Sequence, residues 1–302
     1  MIESSRNMMA TNDVTGVILC GGTGSRLFPI TKCLNKHLLP LFSKPMFYYP
    51  LSLLLLLRLQ NIIFVCNAQE IELYKDQLKF LEALNIDYKI ISQAKPGGIV
   101  NALECVLPHL QSGKVITLLG DNIFHGAGLV EKVEESLSSC VGLNIFTCSV
   151  SDPERFGIVV RNEYGDVIQV VEKPVRPMSD EAVTGLYIME TAFLKSNLKN
   201  VEYSRRGEKE ISDLINQAIL FGKLECSKIA RGIFWIDAGT IEDFYGATEY
   251  IRSNEKRSGE LILSPEEIAL KRDLISRQDF LNLISKYPSG MYKTYLKRLI
   301  SQ

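Results

Sequence analysis

The chain has 302 residues, enough to bury a sizeable core as one large α/β domain or as one with a small appendage. Its 46% hydrophobic and 23% charged content is that of an ordinary soluble globular protein. With 34 basic against 35 acidic residues the net charge is −1, which gives no electrostatic reason to expect nucleic acid or a membrane surface as a partner, so any basic residues that matter must be concentrated in a pocket.

Seven cysteines without a Cys-x-x-Cys pair, and three scattered histidines (His37, His109, His125), offer no zinc spacing. They read as reduced thiols, mostly small core residues, of a cytoplasmic protein. Residues 1–14 lack the apolar run of a signal peptide and read as a disordered extension.

The first structured stretch, Gly16-Val17-Ile18-Leu19-Cys20, is an apolar run that breaks into Gly21-Gly22-Thr23-Gly24-Ser25-Arg26, the pattern of a buried strand delivering a glycine-rich turn. Glycines remove the Cβ atoms that would hold a ligand off the backbone, so successive N–H groups can converge on an anion. Arg26 adds a fixed positive fork and Lys36 a compact point charge, which suits polyphosphate. No Gly-Lys-Ser/Thr triplet follows, so this is not a Walker A loop. Leu27 stands where a dinucleotide-binding fingerprint needs its third glycine, and Leu41-Phe42-Ser43-Lys44 where it needs an acid. A plain strand-to-helix turn would need neither Arg26 nor Lys36.

Farther on, Met46–Leu59 reads as a helix. Its apolar Leu51–Leu57 is cut by Arg58, Gln60 and Asn61 well short of the roughly twenty residues of a membrane span. Strands at Asn61–Cys66, Asp87–Ile91 and Lys114–Leu119 alternate with helices at Glu70–Leu84 and Ile99–Leu110, which predicts a mainly parallel, doubly wound, Rossmann-like sheet. Ligands of such sheets bind beyond the carboxyl ends of the strands, so Gly21–Arg26 and Gly120-Asp121-Asn122 are expected to face one crevice. After a helix at Val130–Ser139 and a strand at Leu143–Val150 the pattern changes. Ile158–Arg161 and Val167–Glu172 flank Asn162–Asp166 as a hairpin, and Ala182–Glu190 returns as a strand. Ile211–Phe221 reads as a helix, Lys223–Ala230 and Phe234–Asp237 as strands, and Ile241–Arg257 as a helix. From the N-cap Ser264 and Pro265 the tail reads as helices.

Two carboxylates at separate strand ends, Asp121 and Asp237, can share one octahedral Mg²⁺ with waters and phosphate oxygens. Either one alone would pass as a helix cap or turn aspartate. Likewise Lys173 and Arg206, taken alone, read as solvated surface cations.

The motifs GGTGSRLFPIT, NKHLLPLFSKPMFYYPL, LGDNIF, DPERFG, VEKP, VTGLY, RRGEKEISD and WIDAGT, spread over nearly the whole chain, resemble the signature of sugar-1-phosphate nucleotidylyltransferases. The resemblance implies a nucleotidyltransferase-type mixed sheet over residues 15–257, its nucleotide-binding part at 15–125 and its sugar-binding part at 126–257, with a C-terminal helical segment at 258–302. It implies Mg²⁺-dependent transfer from dTTP to α-D-glucose 1-phosphate, with UTP, another sugar phosphate, or a non-catalytic nucleotide-sugar-binding homologue as the alternatives. By the same resemblance Leu19, Gly21, Gly22, Thr23, Gly24, Ser25, Arg26, Gln93, Pro96, Gly98 and Asp121 bind nucleotide, with Gly98 letting the base lie close to the backbone. Asn122, Gly157, Glu172, Lys173, Val183 and Arg206 bind the sugar phosphate. Arg26, Lys36, Lys173 and Arg206 carry catalysis, and Asp121 and Asp237 hold Mg²⁺. The family implies a homotetramer and a feedback site near Gly126, Arg231 and Glu267. Four positions depart from many relatives: His37 for glutamine, Gly97 for aspartate, Phe156 for tyrosine and Ala238 for threonine.

Overall fold

A computed structural model describes residues 13–301. The extension expected over 1–14 lies outside the described residues except at its last two, and Val14 already belongs to the first strand, where it pairs with Lys114.

The chain runs β1 (Val14–Leu19), β2 (Pro40–Leu41), β3 (Lys44–Pro45), α1 (Tyr48–Leu56), β4 (Asn61–Asn67), α2 (Ile71–Leu78), α3 (Phe80–Ala83), β5 (Asp87–Gln93) and α4 (Gly98–Val106). It continues through β6 (Lys114–Leu119), β7 (Asn122–His125), α5 (Leu129–Ser139), β8 (Leu143–Ser149), β9 (Gly157–Arg161), β10 (Val167–Glu172), β11 (Glu181–Glu190) and α6 (Thr191–Asn197). The last elements are α7 (Ile211–Leu220), β12 (Leu224–Lys228), β13 (Phe234–Asp237), α8 (Ile241–Ser258), α9 (Pro265–Lys271), α10 (Arg277–Ser285) and α11 (Met291–Ser301). No described helix is long and apolar enough to cross a membrane.

Nine strands form one sheet in the order β10-β9-β11-β6-β1-β4-β5, with β8 and β12 also attached through β11. The stretch β6-β1-β4-β5 is parallel throughout, as the helix-strand alternation predicts. β11 then enters antiparallel to β6 and to β8, making the sheet mixed.

Alternation along β1 shows why the sheet is covered on both faces. Ile18 and Cys20 pack on one side with the leucines of α1, while Val17 and Leu19 pack on the other with α4 and α7. Eight of the nine residues of α1 are buried, which explains why it reads apolar all round rather than as a stripe. Each of its leucines stabilises the fold by roughly 1.5–3 kcal/mol.

Three helices are shorter than their apolar patterns. α1 covers Tyr48–Leu56 of the apolar Met46–Leu59, and ahead of it the Met46 and Phe47 N–H groups donate to the Leu39 and His37 carbonyls. The pattern at Glu70–Leu84 breaks at Lys79 into α2 and α3, and α4 ends at Val106, where Pro108 leaves only a 3₁₀ turn. β7 and α6 are elements that the pattern does not reveal.

Candidate active site

The carboxyl ends of β1 and β6 open on a cavity of about 360 Å³. Leu19, Gly21, Gly22, Arg26, Lys36, Gln93, Pro96, Gly98, Asp121, Asn122, Gly157, Glu172, Lys173, Val183, Arg206 and Asp237 all line it. Thr23, Gly24 and Ser25 do not; they sit outside, where Gly24 turns left-handed to start the 3₁₀ turn Ser25–Leu27 and buried Leu27 anchors the loop.

The loop is tied down through its carbonyls. Asn67 Nδ2 donates to the Gly22 carbonyl at 3.1 Å and Thr31 Oγ1 to that of Gly24 at 2.9 Å. Among the described residues, the N–H groups of Gly21, Gly22, Thr23 and Gly24 donate to no protein acceptor. A loop held by two of its carbonyls, with its donors free, is built for an anion.

The two aspartates meet through the short strand pair β7/β13. Asn122 is in register with Asp237, and the Ala238 N–H donates to the Asp121 carbonyl at 2.9 Å, which puts the carboxylates side by side at one strand end. Ala238, one of the departures, is fully buried and contributes its backbone. Burial alone would raise the Asp121 carboxyl, but Lys36, bonded to it, holds it below the usual carboxylate range. Asp237 goes the other way: burial, then the negative charge of Asp121, push it up to about 6. Its Oδ2 lies 3.9 Å from the Arg26 guanidinium, and its Oδ1 is buried without any hydrogen-bond partner.

An orphaned buried carboxylate oxygen beside a second carboxylate is what a hard divalent cation satisfies, so the residues present fit Mg²⁺. Among the described residues no three His, Cys, Asp or Glu side chains cluster, so such an ion would complete its shell with waters and phosphate oxygens, as Mg²⁺ prefers. His37 lies buried under Gly120. Its ring Nδ1 donates to Asn35 Oδ1 at 2.7 Å, and burial, reinforced by Lys36, lowers it to about 3, so it is a neutral packing group.

On the opposite wall Lys173 and Arg206 share Glu172, at 3.7 and 3.3 Å. Arg206 is also held by Glu210 at 2.7 Å and faces Glu208 at 3.7 Å. Burial raises the Glu172 carboxyl in spite of both cations. Lys173 adopts φ +43°, a left-handed conformation costing an L-residue roughly 1 kcal/mol or more, fixed by its N–H donating to the Phe156 carbonyl at 2.9 Å. Asn122 reaches the cavity, yet its Oδ1 already accepts from Trp235 Nε1 at 2.7 Å and from the Gly185 N–H at 3.0 Å. Its amide therefore braces the acid pair.

Gly98 has a reason of its own within the fold. Its φ is +89°, and a Cβ there would stand 2.5 Å from the Lys209 carbonyl oxygen, so the glycine is required by a neighbouring loop's backbone. Of the positions expected at a feedback site, Gly126 packs on Gly232 beside Arg231, whereas Glu267 is buried and bonded by Tyr295 and Lys271.

Arg155, in the DPERFG motif, is a lining cation to which sequence reasoning assigned no role. It bridges Asp152 and Asp243, so it ties this motif to the first turn of α8, just after Asp237. Phe156 lies 5.4 Å from Trp235, centroid to centroid, and the two make an apolar wall. The signal for both was their place inside a quoted motif, but only the fold shows which way they face.

Comparison with known proteins shows what the whole chain is similar to. A family model described as Nucleotidyl transferase matches residues 15–254. A glucose-1-phosphate thymidylyltransferase of Neisseria meningitidis is 34% identical over 287 residues, covering 95% of this chain and 99% of that protein. One from Mycobacterium tuberculosis is 32% identical over 288 residues, again 95% and 99%. A Bacillus anthracis crystal structure described as a glucose-1-phosphate thymidylyltransferase in complex with sucrose superposes with a TM-score of 0.72 at 34% identity, covering 79% of this chain and 95% of that one. A UDP-glucose pyrophosphorylase complexed with UDP-glucose, 17% identical with a TM-score of 0.69, covers 80% of this chain and 98% of its own and shares the fold.

Proposed function

The chain belongs to the nucleotidyl transferase family, and from that premise we propose that it transfers a thymidylyl group from dTTP to α-D-glucose 1-phosphate, releasing pyrophosphate. The observation that carries the reading is the convergence of Arg26, Lys36, Lys173 and Arg206 with the Asp121–Asp237 pair on one cavity at the strand ends. The relatives' names supply the choice of dTTP and glucose 1-phosphate.

One oxygen of the sugar phosphate attacks the α-phosphorus in line. A new phosphorus–oxygen bond forms, the bond to the bridging oxygen of the β-phosphate breaks, and pyrophosphate departs with the electron pair. The nucleophile is already an anion, so no general base is needed. The difficulty is bringing two highly charged anions together, and the remedy is positioning plus positive charge.

In this reading the free N–H groups of the glycine loop and Arg26 take the β- and γ-phosphates, which become the leaving group. Lys36, leaving Asp121, takes the α-phosphate. Lys173 and Arg206 exchange Glu172 for the attacking phosphate and aim it. The apolar wall of Phe156 and Trp235 excludes water from the sugar side. Asp121 and Asp237 would hold Mg²⁺, which would supply further charge neutralisation at the phosphate oxygens.

Pyrophosphate release measured with dTTP, UTP, CTP and ATP against several sugar 1-phosphates tests the assignment. The dTTP and glucose 1-phosphate pair should give the highest kcat/KM. No turnover with any pair would leave a nucleotide-sugar-binding protein instead.

A further inference from the structure

A chain of side-chain hydrogen bonds runs behind the cavity wall from Gln93 to the loop that carries Arg206. Gln93 Nε2 donates to Asn101 Oδ1 at 2.8 Å, Asn101 Nδ2 donates to Glu104 Oε2 at 3.3 Å, and Lys209 Nζ donates to Glu104 Oε1 at 2.6 Å. The direction of this chain is forced from its charged end. A carboxylate paired with an ammonium has only acceptors to offer, so the Asn101 amide must turn its NH₂ toward Glu104 and its oxygen toward Gln93. Gln93 must then present its own NH₂ to Asn101. The Gly98 carbonyl, 3.3 Å from the same Nε2, holds that orientation from a second side.

What is left of the Gln93 amide is Oε1, an acceptor. It lies beside Gly21 on the cavity wall, and among the described residues no protein donor reaches it. The arrangement also accounts for one departure from the relatives: a Cβ at Gly97 would stand 2.6 Å from Asn101 Oδ1, so the bare glycine leaves the Asn101 amide its place.

We propose that Glu104 and Asn101 are positioning residues that lock Gln93 as an acceptor, so that the site selects a base with a ring N–H donor there, the imide of thymine or uracil, over the bare ring nitrogen of cytosine. The proposal rests on the nucleotide-binding reading above. A mismatched base sets the Gln93 oxygen against a lone pair and leaves both unpaired in a buried wall, which costs about ten- to a hundredfold in affinity. Thymine and uracil present the same imide, so this device does not separate them.

The test is equilibrium binding of dTTP, UTP and CTP by isothermal calorimetry to the unaltered protein and to Glu104→Gln and Asn101→Leu, with thermal melting of each variant. The unaltered protein should prefer dTTP and UTP to CTP by at least about tenfold. In both variants Gln93 is freer to flip, so the dTTP-to-CTP ratio should narrow by about five- to tenfold, through weaker dTTP binding with CTP unchanged or tighter. A merely structural role would weaken all three nucleotides alike and leave the ratio where it was. If either variant folds and keeps the unaltered ratio within about twofold, the proposal is overturned. If the unaltered protein binds no pyrimidine triphosphate at all, the functional reading falls and this proposal with it.

Discussion

The ammonium of Lys36 donates a hydrogen bond to the carboxylate of Asp121 across 85 residues of sequence. Asp121 is buried and the Lys36 side chain is 15% exposed, so each is the other's neutralisation until a phosphate or a metal ion arrives. Lys36→Met should therefore cost about 3–5 kcal/mol of stability in urea unfolding, because it leaves a buried charge unpaired. It should also cost about 10²–10³-fold in single-turnover rate. Adding Asp121→Asn to Lys36→Met should recover much of the stability and none of the rate. A double variant as unstable as the single one would show that the pair is not what holds this strand end.

Asp237 makes the opposite prediction. It is half-buried, crowded by Asp121, and has one buried oxygen without a partner, so in the absence of metal its charge works against folding. Asp237→Asn should raise the melting temperature in chelator while lowering turnover by at least about 10²-fold, the trade expected of a site strained for function. Added Mg²⁺ should raise the melting temperature of the unaltered protein and have little effect on the variant. A variant that melts lower than the unaltered protein in chelator would contradict this account.

Gly185 touches no substrate in the proposed scheme, yet its position sets the acid pair. β11 shifts register between Val183 and Tyr187, which turns the Gly185 N–H toward Asn122 Oδ1. A Cβ there would lie 2.6 Å from Asn122 Cγ. Gly185→Ala should displace the Asn122 amide, free Trp235 Nε1, and reduce kcat by about tenfold or more with a stability loss of roughly 1–3 kcal/mol. Steady-state kinetics beside a urea melt would read both, and full activity in a folded variant would remove Asn122 from the bracing role.

Acid stability gives a prediction at a carboxylate outside the cavity lining. Arg161 bonds Glu181 through both Nε and Nη2, at 2.9 and 2.7 Å, and Thr147 Oγ1 adds a third bond at 2.7 Å. These bonds, Arg161 first, lower the Glu181 pKa in spite of its burial. A carboxyl depressed in the folded state contributes stability above its unfolded value, and that contribution is lost as pH falls through the folded value. Glu181→Gln should thus be less stable than the unaltered protein by roughly 1.5–3 kcal/mol near neutral pH. The difference should shrink towards zero in strong acid. A difference that stays constant with pH would place the effect in packing.

Much of this protein is determined by local sequence. The apolar runs at Val17–Cys20, Asn61–Cys66 and Lys114–Leu119 read as buried strands because their neighbours cover both faces, and Gly21-Gly22-Thr23-Gly24 reads as an anion loop because glycine alone frees that much backbone. Strand alternating with helix then puts Gly21 and Asp121 at the same edge of the sheet. All of these depend on residues within a few positions of one another.

What the tertiary structure decided depends on partners remote in the chain. The β7/β13 register that sets Asp121 beside Asp237 is hidden because Asn122–His125 is too short to show a period. The burial that raises Asp237 and the tilt of Arg155 between Asp152 and Asp243 come from packing across the whole domain. The polarity of the Gln93 amide is set through Asn101 by the Glu104 carboxylate, which Lys209, more than a hundred residues from Gln93, holds in place; an amide is symmetric in shape and only a charged neighbour tells its oxygen from its nitrogen.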